Sequence, residues 1–338
     1  MYSNKNMDIV TSMLRTRPVE DDLSCTEIFC ESSVEMVEGE ESCLKPLHEF
    51  HQQQQSLLPK MLQVRAQVDR TLTADNRVLI TMIRNELRYL PGKPDYFRYV
   101  QTDIKPHMRK IVSDWMLDVC QELCCQPEVF CLAMSLMDRF LGCCSILKSK
   151  LQLLGAVCLF LASKFKESKH IPSEKLAMYT DFSVSLEEIR EWELIVLHQL
   201  NWDLCSSTPL DYLDHLLARL LPPQAATDVS GEDQAKLRHQ TETIIALTAT
   251  HDLFSYERPS LIAAAAIAVA LRYQSPPWFN PEGEHQFLGS LRSFAQADPA
   301  DLEATVSAMI QTLPDYINSL PAPSMAVDVQ SSHQQCDG

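Results

Sequence analysis

Lys164 and Glu193 are the side chains whose type and placement most call for a partner. Lys164 closes a stretch that is apolar on nearly every side, Leu151-Gln152-Leu153-Leu154-Gly155-Ala156-Val157-Cys158-Leu159-Phe160-Leu161-Ala162. Glu193 lies on the next long helical stretch, among Leu186, Ile189, Val196, Leu197 and Leu200. At about 100° per residue it falls in the middle of that apolar stripe. A charge withdrawn from water must be paired or hydrogen-bonded, or else it serves a partner from outside the chain. The two residues therefore make either a private ion pair or a recognition site. Catalysis has no comparable support. With eight glycines and ten scattered histidines, the chain has no G-x-G-x-x-G, no phosphate loop ending Gly-Lys-Ser/Thr, no H-E-x-x-H and no G-x-S-x-G.

A second recognition surface is suggested by the stretch 104–124. Met108, Ile111, Val112, Trp115, Met116, Val119, Cys120 and Leu123 spread over about 180° of its circumference, more than one neighbouring helix covers. Met108, Ile111 and Trp115 form one edge of this arc, with Asp118 beside Ile111. An apolar edge bordered by a carboxylate suits a short peptide carrying an apolar residue and an arginine. The alternative is that Trp115 packs wholly into the core. Twelve cysteines raise the question of zinc or disulfides. Cys120, Cys124, Cys125, Cys131, Cys143, Cys144 and Cys158 fall mostly on apolar helix faces, no C-x-x-C pair occurs, and they read as free, buried thiols. No metal and no cofactor is implied.

The elements that must position these residues are helices. Residues 1–60 are polar, acidic and aperiodic, end near Gln52-Gln53-Gln54-Gln55, and read as a disordered arm. A helix from about Thr73 to Leu90 is stopped by Pro91-Gly92-Lys93-Pro94. Five helices follow: 104–124, Pro127 to about Leu141, 148–166, a short one after Pro172 with Ser173 as candidate N-cap, and one opened by the capping box Ser185-x-x-Glu188 that runs to Leu200. After Asn201-Trp202-Asp203-Leu204 the pattern restarts, with Thr208 as cap and Pro209 in the first helical position. Helices are expected near 208–221, 232–253, 259–273, 283–296 and 300–316. The third helix is the most apolar in each series, so the architecture is duplicated. The division is an arm, 1–60; an N-terminal helix and first domain, 61–205; a second domain, 206–318; and a disordered tail, 319–338. A net charge of −16 without a basic stripe argues against nucleic acid or an anionic membrane as partner. No apolar run approaches the roughly 20 residues that span a bilayer, the N-terminus lacks the apolar core of a secretory signal, and an intracellular protein is expected.

Several stretches together resemble a family. Met108-Arg109-Lys110-Ile111-Val112-Ser113-Asp114-Trp115-Met116-Leu117 is similar to the opening of a cyclin box. Leu136-Met137-Asp138-Arg139-Phe140-Leu141, Leu151-Gln152-Leu153-Leu154-Gly155, Leu161-Ala162-Ser163-Lys164 and Leu200-Asn201-Trp202-Asp203-Leu204 resemble its later landmarks. The match runs from about Leu57 to Tyr316, and Tyr179-Thr180-Asp181 and Lys148-Ser149-Lys150 resemble D-type cyclins in particular. The resemblance implies an all-α fold of two tandem five-helix cyclin boxes, and a non-catalytic activating subunit of a G1 cyclin-dependent kinase of the 4/6 class. It implies that Lys164 and Glu193 contact backbone around the kinase's C-helix. It implies that Met108, Ile111, Trp115 and Asp118, with Leu151 and Gln152, form a docking groove for Arg-x-Leu motifs, where Asp118 stands in place of the glutamate of many cyclins. Leu23-Ser24-Cys25-Thr26-Glu27, by itself a piece of acidic arm, becomes an L-x-C-x-E motif in which Leu23, Cys25 and Glu27 bind retinoblastoma-type pocket proteins. Cip/Kip-type inhibitors are further implied partners, and nucleus and cytoplasm the implied location. The tail, Pro321-Ala322-Pro323-Ser324-Met325-Ala326, lacks the Thr-Pro site that family tails often carry, which puts turnover through such a site in doubt. The competing readings are a transcription-associated cyclin fold, which a basic surface or zinc ribbon would favour, and a helical scaffold without a kinase.

Overall fold

The computed structural model describes residues 69–220, 231–274 and 298–319, with 289, 290 and 293. Every regular element among them is helical. The first helical stretch is broken, because Asp75 takes an extended conformation (φ −76°, ψ 115°) and begins a new helix. Helices α1 (Arg70–Ala74) and α2 (Asn76–Glu86) result, each capped by an aspartate: Asp69 accepts from Thr71 N–H and Asp75 from Arg77 N–H, both at 2.8 Å. A 3₁₀ turn, Leu87–Tyr89, and a single-turn α3 (Tyr96–Tyr99) lead into the first repeat.

That repeat comprises α4 (Pro106–Glu122), α5 (Pro127–Leu141), α6 (Leu151–Lys166), α7 (Ser173–Tyr179) and α8 (Leu186–Gln199). Proline opens α4 and α5, where its missing N–H has no intrahelical acceptor to lose. The capping box of α8 is complete: Glu188 N–H donates to Ser185 Oγ at 3.2 Å, and Ser185 N–H to Glu188 Oε2 at 3.0 Å. Ser173, expected as a cap, is instead the first residue of α7; Pro172 holds the cap position and has no side-chain donor or acceptor to offer. The second repeat comprises α9 (Pro209–Leu220), α10 (Gly231–Ala249), α11 (Pro259–Gln274), α12 (Pro299–Thr312) and α13 (Pro314–Ser319). The helix expected over 283–296 falls largely outside the described residues, as do the arm and the tail.

The third helix of each repeat is its axis. In α6 every side chain from Leu153 to Ser163 is buried, and in α11 every one from Leu261 to Leu271. Small residues make this possible. A Cβ on Gly155 would stand 2.9 Å from Val112 Cγ1 and 3.1 Å from Met116 Sδ, so glycine is what lets α4 lie against α6. In α11 the run Ala263-Ala264-Ala265-Ala266 lets α9, α10 and α12 all approach the same helix.

The buried charges lie where the two repeats meet. Arg109 of α4 is 1% exposed and Asp138 of α5 is 5% exposed. They pair side by side, Nε to Oδ1 and Nη2 to Oδ2, both at 2.7 Å, and Tyr96 O–H donates to Oδ1 at 2.8 Å. Two of the three remaining guanidinium protons cross to the second repeat: Nη1 donates to Thr250 O at 3.0 Å and Nη2 to Ala249 O at 3.1 Å, carbonyls at the end of α10. Ser113 Oγ donates to the same Thr250 carbonyl at 3.1 Å. Burial works against charge on Arg109, but Asp138 and Tyr96 outweigh it and its proton is held more tightly than in water. Glu86, fully buried, makes a second link: its carboxylate accepts from Ser260 N–H and Oγ–H, both at 2.9 Å, and so caps α11 from α2. Arg219 of α9 donates to Thr73 O at 2.5 Å and to Asn76 Oδ1, which holds the N-terminal helices against the second repeat.

Replacing Arg109 alone leaves an uncompensated buried carboxylate. Arg109→Met is expected to cost about 3–5 kcal/mol. Arg109→Met with Asp138→Leu should cost less than the two single changes added together, as read from urea midpoints of the three variants.

Candidate functional site

α6 and α8 pack against each other and end the first repeat on an open face. There Lys164 Nζ lies 2.7 Å from Glu193 Oε1, with side chains 37% and 19% exposed. The ammonium also stands over the Phe160 ring at 3.9 Å from its centroid. The pair is thus formed within the chain, but at the surface. Glu193 keeps its place within the apolar stripe, but its carboxylate is partly open to solvent rather than sealed. The buried residues of α8 include Trp192 as well as Ile189, Val196 and Leu197, while Leu186 is only half-buried. Trp192 widens the stripe on the side away from Glu193, but at about 100° per residue Glu193 still falls within it, between Leu200 and Leu197. Lys164 is exposed outright, in the last turn of α6, where a cation also meets the negative end of the helix.

Two exposed apolar side chains flank the pair: Phe165 at 49% and Leu194 at 60% exposure, each directly following one of the charged residues. Periodicity alone did not single them out, although apolar residues off both stripes were the available signal. The opposite end of α8 is tied down, since Lys150 Nζ lies 2.8 Å from Glu188 Oε1. The two ends of the helix pair are therefore held differently: one by a salt bridge that also serves a cap, the other by an accessible ion pair with apolar neighbours.

The second candidate surface follows α4. Met108 and Trp115 are half-buried and Ile111 is 42% exposed. Trp115 is not wholly internal: its ring packs on the core while Nε1–H donates to Tyr179 O at 3.1 Å, which fixes its orientation. Asp118 is exposed and has no ion-pair partner among the described residues, whereas Asp114 one turn before it is held by Lys110 at 2.5 Å. Partial burial, and then the neighbouring Asp114, raise the Asp118 carboxyl above the ordinary aspartate range, with Lys110 opposing. Gln152 is half-buried in the first turn of α6, but Leu151 is only 3% exposed, so it supports the surface from beneath. The Leu23, Cys25 and Glu27 motif lies outside the described residues. No group of three or more His, Cys, Asp or Glu among the described residues could hold a metal ion. Of the seven helix-face cysteines, Cys120, Cys131 and Cys158 are buried, but Cys124 and Cys143 are exposed because each lies just past a helix end.

Comparison with known proteins places this architecture. Residues 77–205 match the model of the cyclin N-terminal domain and residues 207–337 that of the cyclin C-terminal domain. The chain is 47% identical over 208 residues to the G1/S-specific cyclin-D1 of Danio rerio, covering 62% of this chain and 68% of that one. It is 45% identical over 207 residues to the G1/S-specific cyclin-D2 of Xenopus laevis, covering 61% and 68%. The chain belongs to the D-type cyclin family. A viral cyclin from herpesvirus saimiri, solved by X-ray diffraction, shares the fold with a TM-score of 0.61 at 21% identity, over 71% of this chain and 97% of that one. As a G1/S cyclin, the protein regulates a cyclin-dependent kinase and is not itself a catalyst.

Since the Lys164–Glu193 pair is solvent-accessible, it is worth little to the fold. Lys164→Ala should lower stability by less than about 1 kcal/mol in urea unfolding, in contrast to the buried Arg109.

Proposed function

We propose that this cyclin activates a cyclin-dependent kinase of the 4/6 class through the α6–α8 face and directs it to retinoblastoma-type pocket proteins. The observation that carries the kinase assignment is the accessible Lys164–Glu193 pair flanked by exposed Phe165 and Leu194. Exposed apolar side chains next in sequence to an accessible ion pair suit an interface in which apolar groups exclude water while charged groups set register. On docking, Lys164 and Glu193 turn from each other to backbone groups around the kinase's C-helix. That helix is pressed inward, its glutamate meets the kinase's catalytic lysine, and the activation segment opens. The cyclin contributes only binding energy to this change.

Substrate choice belongs to two other features. The α4 edge of Met108, Ile111 and Trp115, backed by Leu151 and Gln152, takes the leucine of an Arg-x-Leu motif, and the unpaired Asp118 takes its arginine. Such motifs occur on substrates and on Cip/Kip-type inhibitors, which would compete for the edge. The L-x-C-x-E motif of Leu23, Cys25 and Glu27 binds the pocket protein as an extended peptide, and the acidic residues around it, Glu20, Asp21, Asp22 and Glu31, suit a basic rim. Nucleus and cytoplasm are the compartments in which these partners would be met.

Glu193→Lys should abolish kinase co-purification and activation, with the helical circular dichroism spectrum retained. Full activation by the folded variant would overturn the assignment of this face. Cys25→Gly with Glu27→Gln should weaken pocket-protein capture at least tenfold while kinase assembly is unchanged; equal loss of both activities would show that the arm is not a separable module.

A further inference from the structure

The C-terminal end of α4 brings together two thiols whose spacing in sequence carries no metal or redox signature. α4 ends in a Schellman turn. Cys124 takes φ 52°, its N–H donates to Gln121 O at 3.0 Å, and Cys125 N–H donates to Cys120 O at 2.9 Å. This geometry folds the second residue past the cap back over the last helical turn, where two apolar side chains usually meet. Here both positions are cysteine, so the turn sets the two side chains together, and each thiol is the largest influence on the other's acidity.

The two members of the pair have different surroundings. Cys120 is buried, and the neighbouring Cys125 thiol and then its burial both hold its proton on. Cys125 is partly open to solvent; the neighbouring Cys120 thiol favours its thiolate, burial and Glu167 oppose that, and Lys175 assists it. Tyr179 and Glu122 lie around the same turn. An accessible sulfur poised toward thiolate beside a protected second thiol is the arrangement of an attacking and a resolving cysteine.

We propose that Cys120 and Cys125 form a reversible disulfide in response to hydrogen peroxide. The Cys125 thiolate attacks one peroxide oxygen, the O–O bond breaks, and hydroxide leaves and takes up the proton that Cys125 released. The Cys120 sulfur then attacks the resulting sulfenic sulfur. An S–S bond forms, the S–O bond breaks, and the hydroxyl departs as water with the Cys120 proton. Two thiols and one peroxide thus give one disulfide and two waters, and peroxide accepts the two electrons. The bond fastens the turn after α4 to the helix it ends. Gln126 N–H of that turn is held by Glu167 Oε1 at 2.8 Å, and Glu167 caps α6 three residues beyond Lys164. The thiol pair is therefore built into the end of the domain that presents the open ion pair.

The test treats the full chain with hydrogen peroxide, alkylates the remaining thiols and maps disulfides by peptide mass spectrometry before and after dithiothreitol. A Cys120–Cys125 bridge that disappears on reduction is expected, and it should also form in Cys124→Ser. In Cys120→Ser, checked for folding by circular dichroism, Cys125 should instead accumulate as sulfenic acid trapped by dimedone. The proposal is overturned if Cys125 stays fully alkylatable, if it passes to sulfinic acid while Cys120 remains free, or if the bridge joins Cys124 or Cys131.

Discussion

The side-by-side pairing of Arg109 with Asp138 is the interaction around which the two repeats are assembled. Burying both groups has a large desolvation cost that Coulomb attraction alone does not offset. It is offset because nearly every proton and lone pair has a partner: Tyr96 completes the carboxylate, and the carbonyls of Ala249 and Thr250 complete the guanidinium. Those carbonyls end α10, where a helix leaves acceptors unsatisfied and its dipole favours a cation. One planar fork thus meets a carboxylate of its own repeat and a helix end of the other. Apolar contact between the repeats would tolerate sliding; a fork with fixed donor directions does not.

The Lys164–Glu193 pair has similar chemistry and the opposite role. Its members are partly hydrated and their partners are each other, so an incoming backbone group can take their place at small cost. Arg109 could not exchange partners without exposing a carboxylate and two helix-end carbonyls. Stability and recognition are therefore assigned to different ion pairs, and degree of burial decides which does which. The exposed Phe165 and Leu194 belong to the recognition side of this division: they are apolar groups that the fold leaves uncovered.

Much of this was legible along the chain. Helix positions followed from periodicity, prolines and the Ser185–Glu188 box, and the duplication from two runs that are apolar all round. The charge pair came out as a pair, and Glu193 does fall within the apolar stripe, although its carboxylate stays partly exposed. Arg109 and Asp138 were not singled out as buried, although both stand within stretches that marked the family. Asp138 offered the clearer signal, an acidic residue in a helix buried from Val129 to Met134 and again at Leu136, Met137, Phe140 and Leu141. Arg109 offered less, because a long cationic side chain on a helix ordinarily reaches water.

Local sequence sets where helices start and stop, which helix of each repeat is central, and which family the chain resembles. These properties depend on neighbours within a few positions or on one face of one helix. Only the tertiary structure decided which charges are sealed and which are open, because burial depends on residues 29 and 141 positions away in the case of Arg109. It also decided that Glu86 caps a helix 174 residues further on, and that a left-handed turn at Cys124 sets Cys120 against Cys125. Periodicity reports a direction around one helix axis; what lies in that direction is settled only when the other helices arrive.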